Sequence, residues 1–97
     1  MNISGIIWFD DIADKLEWKH HVSTDEVEQV LFGKPYVEFK GKGKTNPDED
    51  VYVALGRTNA GRYLLVAFIL KAGQRALPLS ARDQTRSERR YYEKVKK

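Results

Sequence analysis

Apolar residues in the first 33 positions recur three and four apart, and from Tyr36 onward the spacing shortens to the alternation of strands. The opening run Gly5-Ile6-Ile7-Trp8-Phe9 is β-branched and aromatic, which predicts a short strand. Asp10 or Asp11 then caps a helix that carries Ile12 and Leu16 on one face and reaches Lys19-His20. A second helix has a complete start signal, with Ser23 as N-cap, Glu26 closing a capping box, and Val22 stapling onto Val27. Its buried stripe is Val27, Val30 and Leu31, and Gly33 with Pro35 ends it.

Four segments follow with strand character or its punctuation. Tyr36 to Lys40 alternates, and Gly41 to Pro47 reads as a loop. Val51 to Leu55 and Tyr63 to Leu70 form a hairpin across Gly56-Arg57-Thr58-Asn59-Ala60-Gly61. The second of these runs is apolar on successive residues, so it is expected at the centre of the sheet with helices over at least one face. Arg75 to Ser80 is a fourth strand, in which Pro78 requires one unpaired side. From Asp83 to Lys96 the residues favour a helix with a thin apolar stripe at Tyr91, Tyr92 and Val95. The expected fold is a single α+β domain over residues 1–97: an antiparallel sheet of about four strands against N-terminal helices, with a basic C-terminal helix over about 83–96.

Charge changes this picture. The chain of 97 residues has 17 Lys and Arg against 14 Asp and Glu, but the excess is unevenly placed. Residues 1–33 hold two lysines against seven carboxylates, a balance of −5, whereas 34–80 and 81–97 each stand at +4. Clustered cations on the later segments attract phosphates, and an acidic first segment does not. The absence of cysteine excludes a disulfide scaffold and a cysteine zinc site. No apolar run is long enough to cross a bilayer and no signal peptide is recognisable, so the expected location is the cytoplasm, with no membrane partner.

Several reaction classes lack their parts. Gly41-Lys42-Gly43-Lys44 has neither the spacing nor the helix of a phosphate loop, and His20 and His21, adjacent on a helix, diverge by about 100° and make a poor metal pair. Neither a metal nor another cofactor is expected. Three clusters remain. Lys19-His20-His21 offers an acid or base with a phosphate-neutralising lysine, or simply cations at a helix C-terminus. Arg82, leaving the fourth strand after Ser80-Ala81, is a bidentate phosphate ligand or the partner of Glu88. Arg86, Arg89, Arg90, Tyr91, Tyr92 and Lys94 interleave cations with aromatics, a pattern that suits RNA or core packing.

The order of these pieces along the chain is informative. Lys19-His20-(His21)-Val22-Ser23, then Glu26-Val27 and Val30-Leu31-Phe32, then Tyr52 to Arg62 as YVALGRTNAGR, then Arg75, Ser80-Ala81-Arg82 and Glu88-Arg89 with Tyr92 together resemble the BrnT family, the ribonuclease toxins of a type II toxin–antitoxin system. The resemblance runs from about Phe9 to Glu93. It implies a RelE-like fold and metal-independent endoribonuclease activity that stops translation and growth. It also implies a cognate antitoxin, a small DNA-binding protein usually of ribbon-helix-helix type, through which the pair meets operator DNA. Carried onto this chain, it assigns His20 as acid or base, Lys19 and Arg82 as phosphate ligands, Arg75 as a supporting cation, and Glu88 and Tyr92 as orienting groups. Arg57, Arg62, Arg86, Arg89 and Arg90 are then the expected RNA-binding set.

Three positions depart from the family pattern: Leu16 where asparagine is common, His21 where glycine is, and Val51 where an arginine opens the strand before the LG turn. The alternative that Val51 leaves open is a non-catalytic nucleic-acid- or protein-binding module of the same fold.

Overall fold

A computed structural model describes residues 1–43 and 46–96; Lys44 and Thr45, within the expected loop, and Lys97 lie outside the described residues. The elements are β1 (Gly5–Ile6), α1 (Asp10–His20), α2 (Thr24–Phe32), β2 (Tyr36–Lys42), β3 (Asp50–Arg57), β4 (Tyr63–Lys71), β5 (Arg75–Asp83) and α3 (Arg86–Val95). The strands form one sheet in the order β1-β5-β4-β3-β2, with β4 in the middle as its continuous apolar run predicts. The sheet has five strands and is mixed: β2 to β5 form an antiparallel meander, and β1 adds a parallel pairing to Arg75 and Ala76.

The first strand is shorter than its sequence suggests. Ile7 N–H still bonds to Ala76 O at 2.8 Å, but Trp8 turns away and donates from Nε1 to Glu28 on α2 at 2.9 Å. Phe9 then takes the N-cap position with an extended backbone, so Asp10 and Asp11 sit in the first turn of α1, where the helix dipole favours their charge. Because β1 ends at Ile6, the outer edge of β5 is open at Pro78, which has no N–H to offer. Pro78 also adjoins a bulge: Ala67 pairs with Ser80 and Phe68 with Pro78, leaving Leu79 as the extra residue.

Alternation along the strands separates two faces. Leu64, Val66 and Phe68 point toward α1 and α2 and meet Leu16, Val22, Val27, Val30 and Leu31 in one core, joined by Ala54, Ala76 and Ala81. Gly56 is part of this contact, since a Cβ there would stand 2.9 Å from Val30 Cγ1, so the glycine lets α2 approach the sheet. The predicted Ser23–Glu26 capping box is present in both directions. The last helix starts later than expected: β5 runs on to Asp83, which pairs with Leu64, and Thr85 with Glu88 makes a second capping box. Among the described residues no helix is long and apolar enough to cross a membrane.

Candidate active site

The second face of the sheet carries Leu55, Leu65 and Arg82 in one row with Tyr36, aligned by the register of β2 to β5. One step along the strands, the next row on this face is Glu38, Val53, Ala67 and Ser80. Only one end of this face is covered, by α3, whose Ser87, Glu88 and Tyr91 wall a cleft of about 470 Å³ over Val53, Leu55 and Leu65. An apolar floor with a few convergent polar groups is the usual build of a binding site.

One wall is the pair Arg82 and Glu88. Arg82 donates from Nη1 to Oε1 at 2.8 Å and from Nη2 to Oε2 at 2.9 Å, a two-pronged contact that fixes the guanidinium plane. Glu88 also accepts from the Thr85 N–H at 2.8 Å. Arg82's hydrogen bonds, followed by the Thr85 backbone, hold the Glu88 carboxyl at about 2, so it is ionised at neutral pH and does not act as a proton donor. Arg82 Nε makes no hydrogen bond among the described residues, leaving a donor for an anion in the cleft.

The opposite wall comes from β2. The hydroxyls of Tyr36 and Tyr91 lie 2.9 Å apart, their rings meet edge to face at 5.5 Å, and Tyr36 donates to Glu38 Oε1 at 3.3 Å. Lys40 Nζ stands 3.3 Å from Glu38 Oε2. The hydrogen bond with Tyr91, reinforced by the Glu38 charge, pushes the Tyr36 hydroxyl up to about 12, so it keeps its proton and serves as a donor. Beyond Lys40 the same face continues into a second hollow of about 540 Å³ lined by Lys42, Glu49, Val51, Ile69 and Leu79. Val51, one of the three departures from the family pattern, therefore lies on the same face of the sheet as Arg82, in the neighbouring hollow.

The sequence-predicted residues do not all meet here. Arg82 and Glu88 do, while Lys19 and His20 end α1 on the other side of the sheet. Successive side chains of β5 alternate, so Arg82 faces α3 and Asp83 faces the α1–α2 junction. There Arg62 directs all five of its N–H groups to acceptors: Nε and Nη2 to Asp83, Nη1 to Glu26 and His21 O, and Nη2 to His20 O. Asp83's carboxyl is held below its ordinary range mainly by this arginine. His21 itself is left-handed at φ 54, which accounts for glycine at this position in the family pattern. Arg75 lies at the far end of β5, roughly 20 Å from Arg82 by strand rise, with Nε donating to Ala72 O. Tyr92 is buried under α3 against Tyr63, with rings 6.1 Å apart. Arg57 and Arg89 both lie over the Tyr63 ring, and Arg86, Arg89 and Arg90 line the outer flank of α3.

Tyr36, Glu38 and Lys40 are cleft residues that the pattern did not single out for chemistry, and Tyr91 stood only in the Arg–Tyr cluster of the last helix. The spacing Tyr36-x-Glu38-x-Lys40 does place all three on one face of a strand, and that was the available signal. Nothing local tells that Tyr91, 55 residues away, completes the group.

A family model described as "Ribonuclease toxin, BrnT, of type II toxin-antitoxin system" matches residues 8–88, most of the 97-residue chain. The chain belongs to this family. BrnT membership makes it a ribonuclease toxin of a toxin–antitoxin system, with RNA as substrate and an antitoxin as partner. The matched span takes in the Arg82–Glu88 pair and the Arg62 junction, and it ends before Arg89, Arg90, Tyr91 and Tyr92. No curated protein matches the chain.

Proposed function

We propose that the protein is a metal-independent endoribonuclease whose reaction takes place in the cleft between β2 and α3. The observation that carries this is the placement of a forked, ion-paired Arg82 across an apolar floor from Glu38, Tyr36, Tyr91 and Lys40. Cleavage without a metal needs a base at the 2′-oxygen, a donor at the 5′-oxygen and cations on the phosphorane. Glu38 takes the 2′-hydroxyl proton as the O2′–P bond forms. The Tyr91 hydroxyl, hydrogen-bonded to Tyr36, gives a proton to the departing 5′-oxygen as the P–O5′ bond breaks. Arg82 and Lys40 balance the charge that grows on the phosphorus oxygens. The products are a 2′,3′-cyclic phosphate and a 5′-hydroxyl.

In this reading Glu88 orients Arg82, Tyr92 seats α3 on the sheet, and Arg62 positions the α1–α2 junction. Lys19 and His20 favour the α1 C-terminus, and Arg75 supports binding from a distance. A cognate antitoxin, small and DNA-binding, neutralises the toxin in the cytoplasm by covering the cleft, and only their complex meets operator DNA.

Induction alone should arrest growth and degrade RNA, and co-expression with the antitoxin should restore both. Purified protein should cleave RNA equally with and without a chelator. Arg82→Ala and Glu38→Gln should each lower cleavage by about 100-fold or more, the range for removing an acid–base or charge-stabilising group, with circular dichroism unchanged. Folded variants that cleave normally would remove the cleft from the mechanism. The rival reading, a binding module that does not cut, draws on Val51, an apolar side chain in the hollow beside the cleft. It predicts salt-sensitive RNA binding with the RNA left intact.

A further inference from the structure

Four arginines of this protein are held in two ways. Arg62 and Arg82 are tied to carboxylates. Arg57 and Arg89 instead lie against one tyrosine, with guanidinium carbons 4.7 and 4.2 Å from the centroid of the Tyr63 ring. Neither forms a salt bridge among the described residues, nor do Arg86 and Arg90 nearby. An aromatic face attracts a guanidinium without occupying its N–H groups, so it pre-orients the cation and leaves its donors free.

The surroundings maintain this arrangement. The Tyr63 hydroxyl donates to Glu93 Oε1 at 2.7 Å, and Glu93, which lines the hollow, is also paired with Lys96, so its carboxylate is directed toward the ring hydroxyl and the helix end. At the hairpin turn, Gly61 has φ +93, and a Cβ there would stand 3.1 Å from Arg57 Nη2, so the glycine leaves the space that this guanidinium uses. Tyr63, Gln84, Arg86, Arg89, Arg90 and Glu93 line a hollow of about 550 Å³. At about 100° per residue, Arg86, Arg89 and Glu93 lie on the flank of α3 opposite Ser87 and Tyr91, which face the cleavage cleft.

We propose that this hollow, together with Arg57 on the adjoining Tyr63 ring, is a second anion-binding surface, which takes phosphates of the substrate RNA away from the bond that is cut. The inference rests on the ribonuclease reading for its substrate and adds a separate subsite to it. With α3 about 10–12 Å across, only a strand of several nucleotides reaches both flanks. The site therefore selects long single-stranded RNA over short fragments.

The test uses the full chain and a 2′-O-methyl RNA 20-mer, which binds but lacks the nucleophile, beside a cleavable 20-mer and a cleavable dinucleotide. Arg57→Gln/Arg89→Gln changes two exposed side chains, and its melting curve checks the fold. The double variant should bind the 2′-O-methyl 20-mer about tenfold more weakly, and its slope of log K against log salt should shrink by roughly 1.4, the value for two lost single-strand phosphate contacts. Its loss of kcat/KM should be about tenfold greater on the 20-mer than on the dinucleotide. Tyr63→Leu, which keeps both charges but removes their seat, should show the same length dependence. Unchanged binding and slope, or equal losses on the two cleavable substrates, would overturn the proposal. So would a loss confined to antitoxin affinity, which would make the flank a protein interface. If Arg82→Ala still cleaves, the cleft mechanism fails by itself, because binding of the 2′-O-methyl strand judges the second site without any cleavage.

Discussion

Glu88→Gln isolates the charge that holds Arg82 and the first turn of α3. Glutamine keeps an oxygen for the Thr85 N–H but cannot pair with the guanidinium. The carboxyl sits at about 2 rather than 4.5, chiefly because of Arg82, and at 1.36 kcal/mol per unit the drop is worth about 3 kcal/mol. The pair is partly open to water, with 43% of the Arg82 side chain and 27% of that of Glu88 exposed, so screening lowers the expected loss to about 1–2 kcal/mol. For a domain of this size that is roughly a 5–15 °C fall in melting temperature. The sign of the pH dependence follows from the direction of the shift. A depressed carboxylate contributes fully above its unfolded value, near 4.5, and its contribution fades as pH falls toward about 2. Urea denaturation of both proteins from pH 7 to pH 2.5 should therefore show a gap at neutral pH that narrows in acid. The wild-type-minus-variant difference is the quantity to follow, since Asp83 and Glu93 also have lowered values and titrate in both proteins. A gap that is absent at pH 7, or constant across the range, refutes the assignment of that stability to the Arg82–Glu88 pair.

Three further substitutions test the frame around the site. Arg62→Met should cost about 2–4 kcal/mol in chemical denaturation, because it strands two carboxylates and the carbonyls of His20 and His21; a loss below about 0.5 kcal/mol would return Arg62 to the RNA-binding set. His21→Gly relieves a left-handed backbone and should raise stability by up to about 1 kcal/mol, and a lower melting temperature would contradict this. Gly56→Ala should destabilise by about 1–3 kcal/mol by driving a methyl against Val30, an outcome that a wild-type melting curve would exclude.

What the sequence disclosed was local. The Ser23 box was readable because cap and partner are three residues apart and both of its hydrogen bonds close within one turn. The Thr85–Glu88 box has the same spacing, but the helix-favouring run already begins at Asp83. Pairing of β5 with β4 as far as Leu64–Asp83 draws Asp83 into the strand, and the strand's alternation then turns it toward Arg62. The parallel β1–β5 contact was not legible either, since two residues carry it and β-branched Ile7 reads as strand whether or not it pairs. The site shows the same division. Arg82 with Glu88 is six residues apart and was foreseen as one of two options, while the Tyr36–Tyr91 contact depends on α3 crossing the sheet. The hairpin motif LGRT-x-x-GR is largely architectural: Gly56 admits Val30, Thr58 Oγ1 accepts the Arg62 N–H, and Arg62 fastens the first two helices to β5.

The sheet also sorts charge. Residues 1–33, with their balance of −5, supply α1 and α2 on one face. The opposite face receives Lys40, Lys42 and Arg82 from the strands and the arginines of α3. A net charge of +3 on the whole chain would steer a polyanion weakly. The strand cations in front are paired with Glu38, Asp50 and Glu88, so the uneven field comes from the acidic excess of α1 and α2 behind the sheet and the arginines of α3, and in the proposed reading it favours approach of RNA from the α3 side. Lys19 and His20 lie on the repelled side, at the end of a helix whose C-terminal carbonyls Arg62 already engages. Strand alternation therefore sets them apart from Arg82, and in the proposed reading KH and SAR share packing at the α1–β5 contact and not a reaction centre.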